Sequence, residues 1–362
     1  MKNLTRVLVL LSTMIPLTSF AQDQCVANVD KLQLFYVNGM FTTPEDVRSN
    51  RDALDRFQDK HLGQYEKYRN VQVGYNFNET FIDQIAEVAF HKMTDVQKSS
   101  NEGRLLQNFI LGHNLNIIND LSGAFSWFFT EIVEDVESMQ DEGDYQNLKH
   151  LLNLSMDDCT RVLLVTHSQG NFYGNRLFTE ISNAYIYPTG VKLSDYPMLG
   201  YLGIANPTLH VGGYYGDSNS HIAKTFTNDN DWPMWAIRRS FGAVSADPVS
   251  ASDSDESYGH GLEEAYLENN AAPVLVNYMV QIIENLTPYP LFEQLQSSSS
   301  AFSHFGYSNI SEYLDFRFRY GGGYRYSGVP EPVWNDLLIS SSHGSYFNIH
   351  IRDKYPFEKI ED

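Results

Sequence analysis

The stretch that most constrains this chain is RVLLVTHSQGNFYGN, residues 161–175. Residues 161–166 form a short apolar run of the kind that a strand covered on both faces requires. Directly after it, Gly174, Leu177, Phe178 and Ile181 share one face of a predicted helix over 171–183. A buried strand that passes through so short a turn into an amphipathic helix is half of a βαβ unit, and it commits the chain to a mostly parallel sheet.

The same alternation recurs on both sides. LQLFYV at 32–37 reads as a strand that ends at Asn38-Gly39, and TPEDVRSNRDALDRFQDK at 43–60 as a helix with Thr43 as cap, Pro44 in the first turn and acids near its start. Strands are predicted at 71–75, 199–204 and 222–227, and a helix at 80–96. Residues 262–286 are predicted helical with a break near Pro273, and Leu275, Met279, Ile282 and Leu286 form their apolar stripe. Between the second and third strands lies a long, apolar, helix-patterned insertion, 104–156, which packs on the sheet or forms a lid. From residue 287 the pattern changes. LDFRFRYGGGYRY and YFNIHIRD alternate aromatic or aliphatic with polar residues, which predicts antiparallel strands and a β-rich extension over 287–362. The fold class expected is therefore α/β, a mostly parallel sheet flanked by helices within 22–286, followed by that extension.

Residues 1–21 carry a basic start at Lys2 and Arg6, an apolar stretch from Val7 to Leu17, and small residues at Ser19 and Ala21. This pattern predicts a cleaved secretory signal peptide and export to the periplasm or the medium, and the apolar stretch is too short for a membrane anchor. Loss of Lys2 and Arg6 takes the formal charge from −20 to −22. Such a surface repels nucleic acid and anionic headgroups, so no nucleic-acid partner and no integral membrane span are expected. The two cysteines of an exported chain, Cys25 and Cys159, suggest one disulfide.

Ser168 is the candidate nucleophile. A strand–serine–helix turn lifts a hydroxyl above the sheet and leaves backbone N–H groups to meet an oxyanion. Gly170 supplies the small residue that the turn needs on its far side, whereas Thr166 stands where such turns usually carry glycine. His167 adjoins the serine and points away from it, so it is not the base. A serine nucleophile requires a histidine to take its proton and a carboxylate to orient that histidine, in the chain order serine, acid, histidine. The fifth strand ends in NDNDWP, which offers Asp231 as the acid and Asp229 as the alternative; a calcium loop is a further reading of these residues, without regular EF-hand spacing. His260, between two glycines in SYGHGLEEAYLENN, fits the order. His304, His343 and His350 lie in the extension, and His221 precedes the fifth strand. The oxyanion donors expected are the N–H of Gln169 and that of Met40, in the loop FYVNGMF.

Asn38-Gly39-Met40, Thr166 to Gly170, Asn228 to Asp231 and Gly259-His260-Gly261 together resemble the α/β-hydrolase superfamily, most closely bacterial lipases and esterases of the minimal type. The resemblance covers about residues 30–286. It implies a serine hydrolase that cleaves small-molecule or lipid esters of carboxylic acids through an acyl-enzyme, with no cofactor and no metal. It also implies that the strands before Met40 and before Ser168 are neighbours, which brings Cys25 and Cys159 to one edge and supports a Cys25–Cys159 disulfide. Two other readings share the residues: a binding or scaffold protein on a hydrolase fold, and an acyltransferase whose intermediate is resolved by an alcohol.

Overall fold

The computed structural model describes residues 28, 31–38, 44–74, 143–188, 190–231, 234–235, 238, 243–250, 259–286, 290–309 and 311–361. Residues 1–21, the predicted helix at 80–96 and most of the 104–156 insertion lie outside these.

The first unit is built on five parallel strands: β1 (Leu32–Val37), β2 (Gln72–Gly74), β3 (Arg161–His167), β4 (Leu199–Ile204) and β5 (Ala223–Phe226). Their spatial order is β2-β1-β3-β4-β5, with every neighbouring pair parallel. All six residues of β1 and of β4 are buried, as the unbroken apolar runs require of strands covered on both faces. The polar residue of β1, Gln33, donates its side-chain Nε2 to the carbonyls of Leu34 (2.7 Å) and Asn70 (3.1 Å), while its buried Oε1 has no partner among the described residues.

Among the described residues, four helices cover this sheet: α1 (Pro44–His61), α2 (Gly143–Asp157), α3 (Gly170–Ala184) and α5 (Ala271–Asn285); a short helix, α4 (Gly213–Ser218), packs on α3. α2 and α3 pack side by side against β1 and β3, and α5 lies against β3, β4 and β5. The pleat separates the two layers. An added Cβ at Gly200 would meet Ile282 of α5, and one at Gly203 would meet Asn171 of α3, so residues of opposite parity on β4 face opposite layers. α2 is the end of the 104–156 stretch. It buries Tyr145, Leu148, Leu152 and Met156, and is thus a sheet-packing helix; the part of the stretch that could form a lid lies outside the described residues.

Between β5 and α5 a π-helical segment, Leu262–Leu267, ends at a break over 268–270. The interruption precedes Pro273, which sits inside the first turn of α5, where its missing N–H costs nothing. Leu275, Met279, Ile282 and Leu286 are all buried, as their spacing predicts.

The second unit is an antiparallel sheet of order β10-β9-β8-β7-β6, formed by β6 (Leu295–Gln296), β7 (Phe302–Ser308), β8 (Tyr313–Phe318), β9 (Gly322–Tyr326) and β10 (Phe357–Glu361). The glycine turn in LDFRFRYGGGYRY joins β8 to β9 as expected. YFNIHIRD corrects a prediction: it is helical, with α7 (His343–Tyr346) running into a π-helical turn, Phe347–Ile351. Apolar residues at 347, 349 and 351 fit a strand, but Phe347 and Ile351 also stand four apart, on one helical face. Those two are buried and Ile349 is exposed. Ser342 caps α7 by accepting from the Ser345 N–H. With α6 (Glu331–Ile339) and α7, the extension is a mixed unit around Phe302, Phe305, Phe316 and Phe347.

The units touch. The Tyr196 hydroxyl, in the loop between α3 and β4, donates to the Ile360 carbonyl at 2.9 Å, and Tyr313 packs against the core of the first unit. No helix among the described residues is long and apolar enough to cross a membrane.

Candidate active site

β3 ends at His167, and the chain turns at Ser168 with φ of 53°, in the left-handed region that a side chain adopts only under tertiary constraint. The Ser168 N–H donates to the carbonyl of Ile204, the last residue of β4, at 3.0 Å. α3 begins two residues later. At Gly170 an added Cβ would lie 2.6 Å from the carbonyl oxygens of Val37 and Asn38, so the first turn of α3 rests against the end of β1. The serine therefore stands at the carboxyl ends of the central strands, where open parallel sheets place their ligands.

His260 and Asp231 complete a hydrogen-bonded chain. His260 Nε2 is 3.0 Å from Ser168 Oγ, and its Nδ1 is 2.9 Å from Asp231 Oδ2. In the arrangement that satisfies all three groups, the serine hydroxyl donates to Nε2 and the Nδ1–H donates to the carboxylate. Asp231 is fully buried, whereas the imidazole is partly open to solvent. Its carboxylate accepts two further donors, the Met234 N–H at 2.9 Å on Oδ1 and the Tyr266 hydroxyl at 2.5 Å on Oδ2. Burial, then the adjacent Asp231 charge, pushes the Tyr266 hydroxyl far up, which keeps it a donor. The loop that presents His260 depends on Gly259. Its φ is +76°, and a Cβ there would come within 2.6 Å of the Asn230 carbonyl.

Asp229, the alternative acid, is exposed and accepts from the Ser250 hydroxyl at 2.5 Å. Asp229 is thus a turn residue, and Asp231 is the carboxylate that reaches a histidine. His167 lies under the turn: its Nε2 is 2.9 Å from the His260 carbonyl, and the two rings are 5.1 Å apart. Burial, followed by the neighbouring His260, holds His167 down at about 3, so it stays neutral and donates. His304 and His343 interact within the second unit, and His221 is exposed.

Of the two expected oxyanion donors, the Gln169 N–H follows the serine and has no acceptor among the described residues. Met40 lies outside the described residues, as does Cys25. The adjacency that their placement requires is present: β1 pairs with β3 from Leu32↔Arg161 to Val37↔Thr166. Cys159 is fully buried, and no free cysteine occurs among the described residues.

Thr166 fits beneath the turn. Its hydroxyl is 2.8 Å from Asn171 Oδ1 and 3.0 Å from the Tyr201 hydroxyl, which itself donates to Asn171 Oδ1 at 2.8 Å. Its methyl occupies the space above Gly174, where an added Cβ would lie 2.2 Å from Thr166 Cγ2. The small residue usual at 166 thus sits one layer away, on α3. Sequence reasoning missed Tyr266, Asn171 and Tyr201. Asn171 carried a signal: it precedes Gly174 by three and so lies on the buried face of α3, where an amide requires partners. Tyr266 and Tyr201 carried none beyond being apolar enough to bury.

Among the described residues no group of three histidine, cysteine or acidic side chains is placed to hold a metal ion. Residues 298–355 match the family model of the KTSC domain. The crystal structure of a KTSC domain protein from Yersinia pestis is 32% identical, covers 18% of this chain and 92% of that one, and superposes with a TM-score of 0.18. The matched residues, 298–355, lie in the second unit. No curated protein matches the chain.

Proposed function

We propose that this chain is an exported serine hydrolase that cleaves carboxylic esters, of the lipase and esterase type in the α/β-hydrolase superfamily. One observation carries the reading: Ser168 Oγ, His260 and a fully buried Asp231 form a continuous hydrogen-bonded relay, with links of 3.0 and 2.9 Å, at the carboxyl ends of a parallel sheet. In the proposed reaction Ser168 attacks the ester carbonyl while His260 Nε2 takes its proton. Asp231 orients the imidazole and stabilises the imidazolium. The oxyanion meets the Gln169 N–H, with Met40 as the expected second donor. His260 returns the proton to the leaving alcohol, and water then repeats the sequence on the acyl-enzyme. Export through residues 1–21 and a Cys25–Cys159 disulfide belong to the same proposal.

A fluorophosphonate probe tests it. Labelling of the wild type that is lost in Ser168→Ala supports the nucleophile; an unlabelled wild type, or equal labelling of the variant, overturns it. Supplying competing alcohols and analysing the products separates hydrolysis from acyl transfer.

A further inference from the structure

We infer that Asn171 is a positioning residue that aims the Gln169 N–H at the oxyanion, with Thr166 and Tyr201 holding Asn171 in place. This deepens, and rests on, the serine hydrolase reading above. The Ser168 carbonyl and the Gln169 N–H belong to one planar peptide unit. All peptide bonds described are trans, so the two groups point in opposite directions and move together. Asn171 grips that carbonyl twice, with its backbone N–H at 3.0 Å and its side-chain Nδ2 at 2.7 Å. Nδ2 also donates to the Ile204 carbonyl at 3.0 Å, the same oxygen that receives the Ser168 N–H. The left-handed turn at Ser168 is thereby fastened on both sides, and the donor on its far face points away from the grip.

An amide can do this only if its nitrogen faces the two carbonyls. Its oxygen accepts from the Tyr201 hydroxyl at 2.8 Å and lies 2.8 Å from the Thr166 hydroxyl, both buried. The Ser168 and Ile204 carbonyls fix which end of the amide is which, because a flipped Asn171 would set Oδ1 against two groups that only accept, and the two hydroxyls then hold Oδ1 in place by donating to it or packing against it. Thr166, the residue that departs from the usual pattern, is on this account part of the site: glycine at 166 supplies no hydroxyl.

The test uses the full chain and the variants Asn171→Ala, Thr166→Val and Tyr201→Phe. Three quantities are read on a soluble p-nitrophenyl ester: kcat, KM, and the inhibition constant of a boronic acid that becomes tetrahedral on serine. Misaiming one oxyanion donor is expected to lower kcat about 10- to 100-fold in Asn171→Ala with KM nearly unchanged. The boronic acid is expected to weaken by a similar factor. Thr166→Val and Tyr201→Phe show the same pattern to a smaller extent, and adding Thr166→Val to Asn171→Ala costs little more, because both act through one amide. Should Asn171→Ala fail to fold, the two conservative variants decide. A lower melting temperature with kcat and boronic-acid affinity unchanged would reduce the network to packing and overturn the inference while leaving the hydrolase reading intact. A wild type that neither turns over ester nor reacts with fluorophosphonate overturns both.

Discussion

Asp231 and Asp229 are two residues apart and differ in everything that matters for catalysis. Asp231 is fully buried, reaches His260, and is held by Tyr266 and the Met234 N–H; Asp229 is exposed and caps a turn with Ser250. Asp231→Asn is expected to lower kcat by about 10⁴-fold by favouring the wrong imidazole tautomer, whereas Asp229→Asn should stay within a few-fold of wild type. Steady-state ester hydrolysis by the two variants decides between them. His167 supports a separate prediction, on stability. Its value in the fold is about 3 against 6.5 when unfolded, so the fold favours the neutral ring. Its contribution is fully present above about pH 6.5 and is lost progressively as pH falls towards 3, because the unfolded chain then binds the extra proton. Between pH 7 and 4.5 this amounts to roughly 2–3 kcal/mol. Urea midpoints at the two pH values should therefore diverge less in His167→Asn than in wild type; equal divergence would remove His167 as the cause.

At the level of elements, the turn from β3 into α3 is a contact between a threonine methyl and a glycine. Gly174→Ala places a methyl group 2.2 Å from Thr166 Cγ2 and 3.2 Å from Tyr201. Overpacking of this kind is expected to destabilise by about 1–3 kcal/mol, and Thr166→Gly in the same chain should restore part of that loss while leaving activity low. Thermal melts of the two single variants and the double variant check the coupling. The strands and most helices were legible because parallel strands buried on both faces read as unbroken apolar runs, and α3 and α5 carry clear apolar stripes. Ser168, Asp231 and His260 were legible because chain order and strand-to-helix context restrict each of them. Tyr201 and Tyr266 were not, since a partner's partner leaves no spacing in the sequence. YFNIHIRD misled because apolar residues two apart satisfy both a strand and, at every second one, a helix. Only the packing of Phe347 and Ile351 against the aromatic core distinguishes these.

At the scale of the molecule, the two sheets formed by the described residues are held by different means. The central strands β1, β3 and β4 of the parallel unit are mostly apolar and almost wholly buried. The antiparallel unit buries an ion pair: Arg325 reaches Asp315 with two bonds, at 2.9 and 2.7 Å, and Asp315 also accepts the Leu291 N–H at 2.9 Å, in the segment that leads in from α5. Asp315→Asn leaves a buried guanidinium without its countercharge, and a loss of about 3–5 kcal/mol is expected. The loss should appear as earlier unfolding of the C-terminal unit, read by hydrogen exchange at β8 and β9, with ester turnover largely kept. A simultaneous loss of turnover would show that the two units unfold as one. Peptide mapping without reductant checks the other long-range tie, since free thiols at Cys25 and Cys159 would remove the proposed disulfide.

The exchange of bulk between positions 166 and 174 also restricts how such a turn can evolve. A chain with glycine at 166 and alanine at 174 reaches the present pair by two single substitutions. Changing 166 first drives threonine into the alanine methyl; changing 174 first leaves only a small void. The tolerable route in either direction passes through a form with glycine at both positions, slack but unstrained. Chains of that intermediate type are where the two versions of the turn would meet.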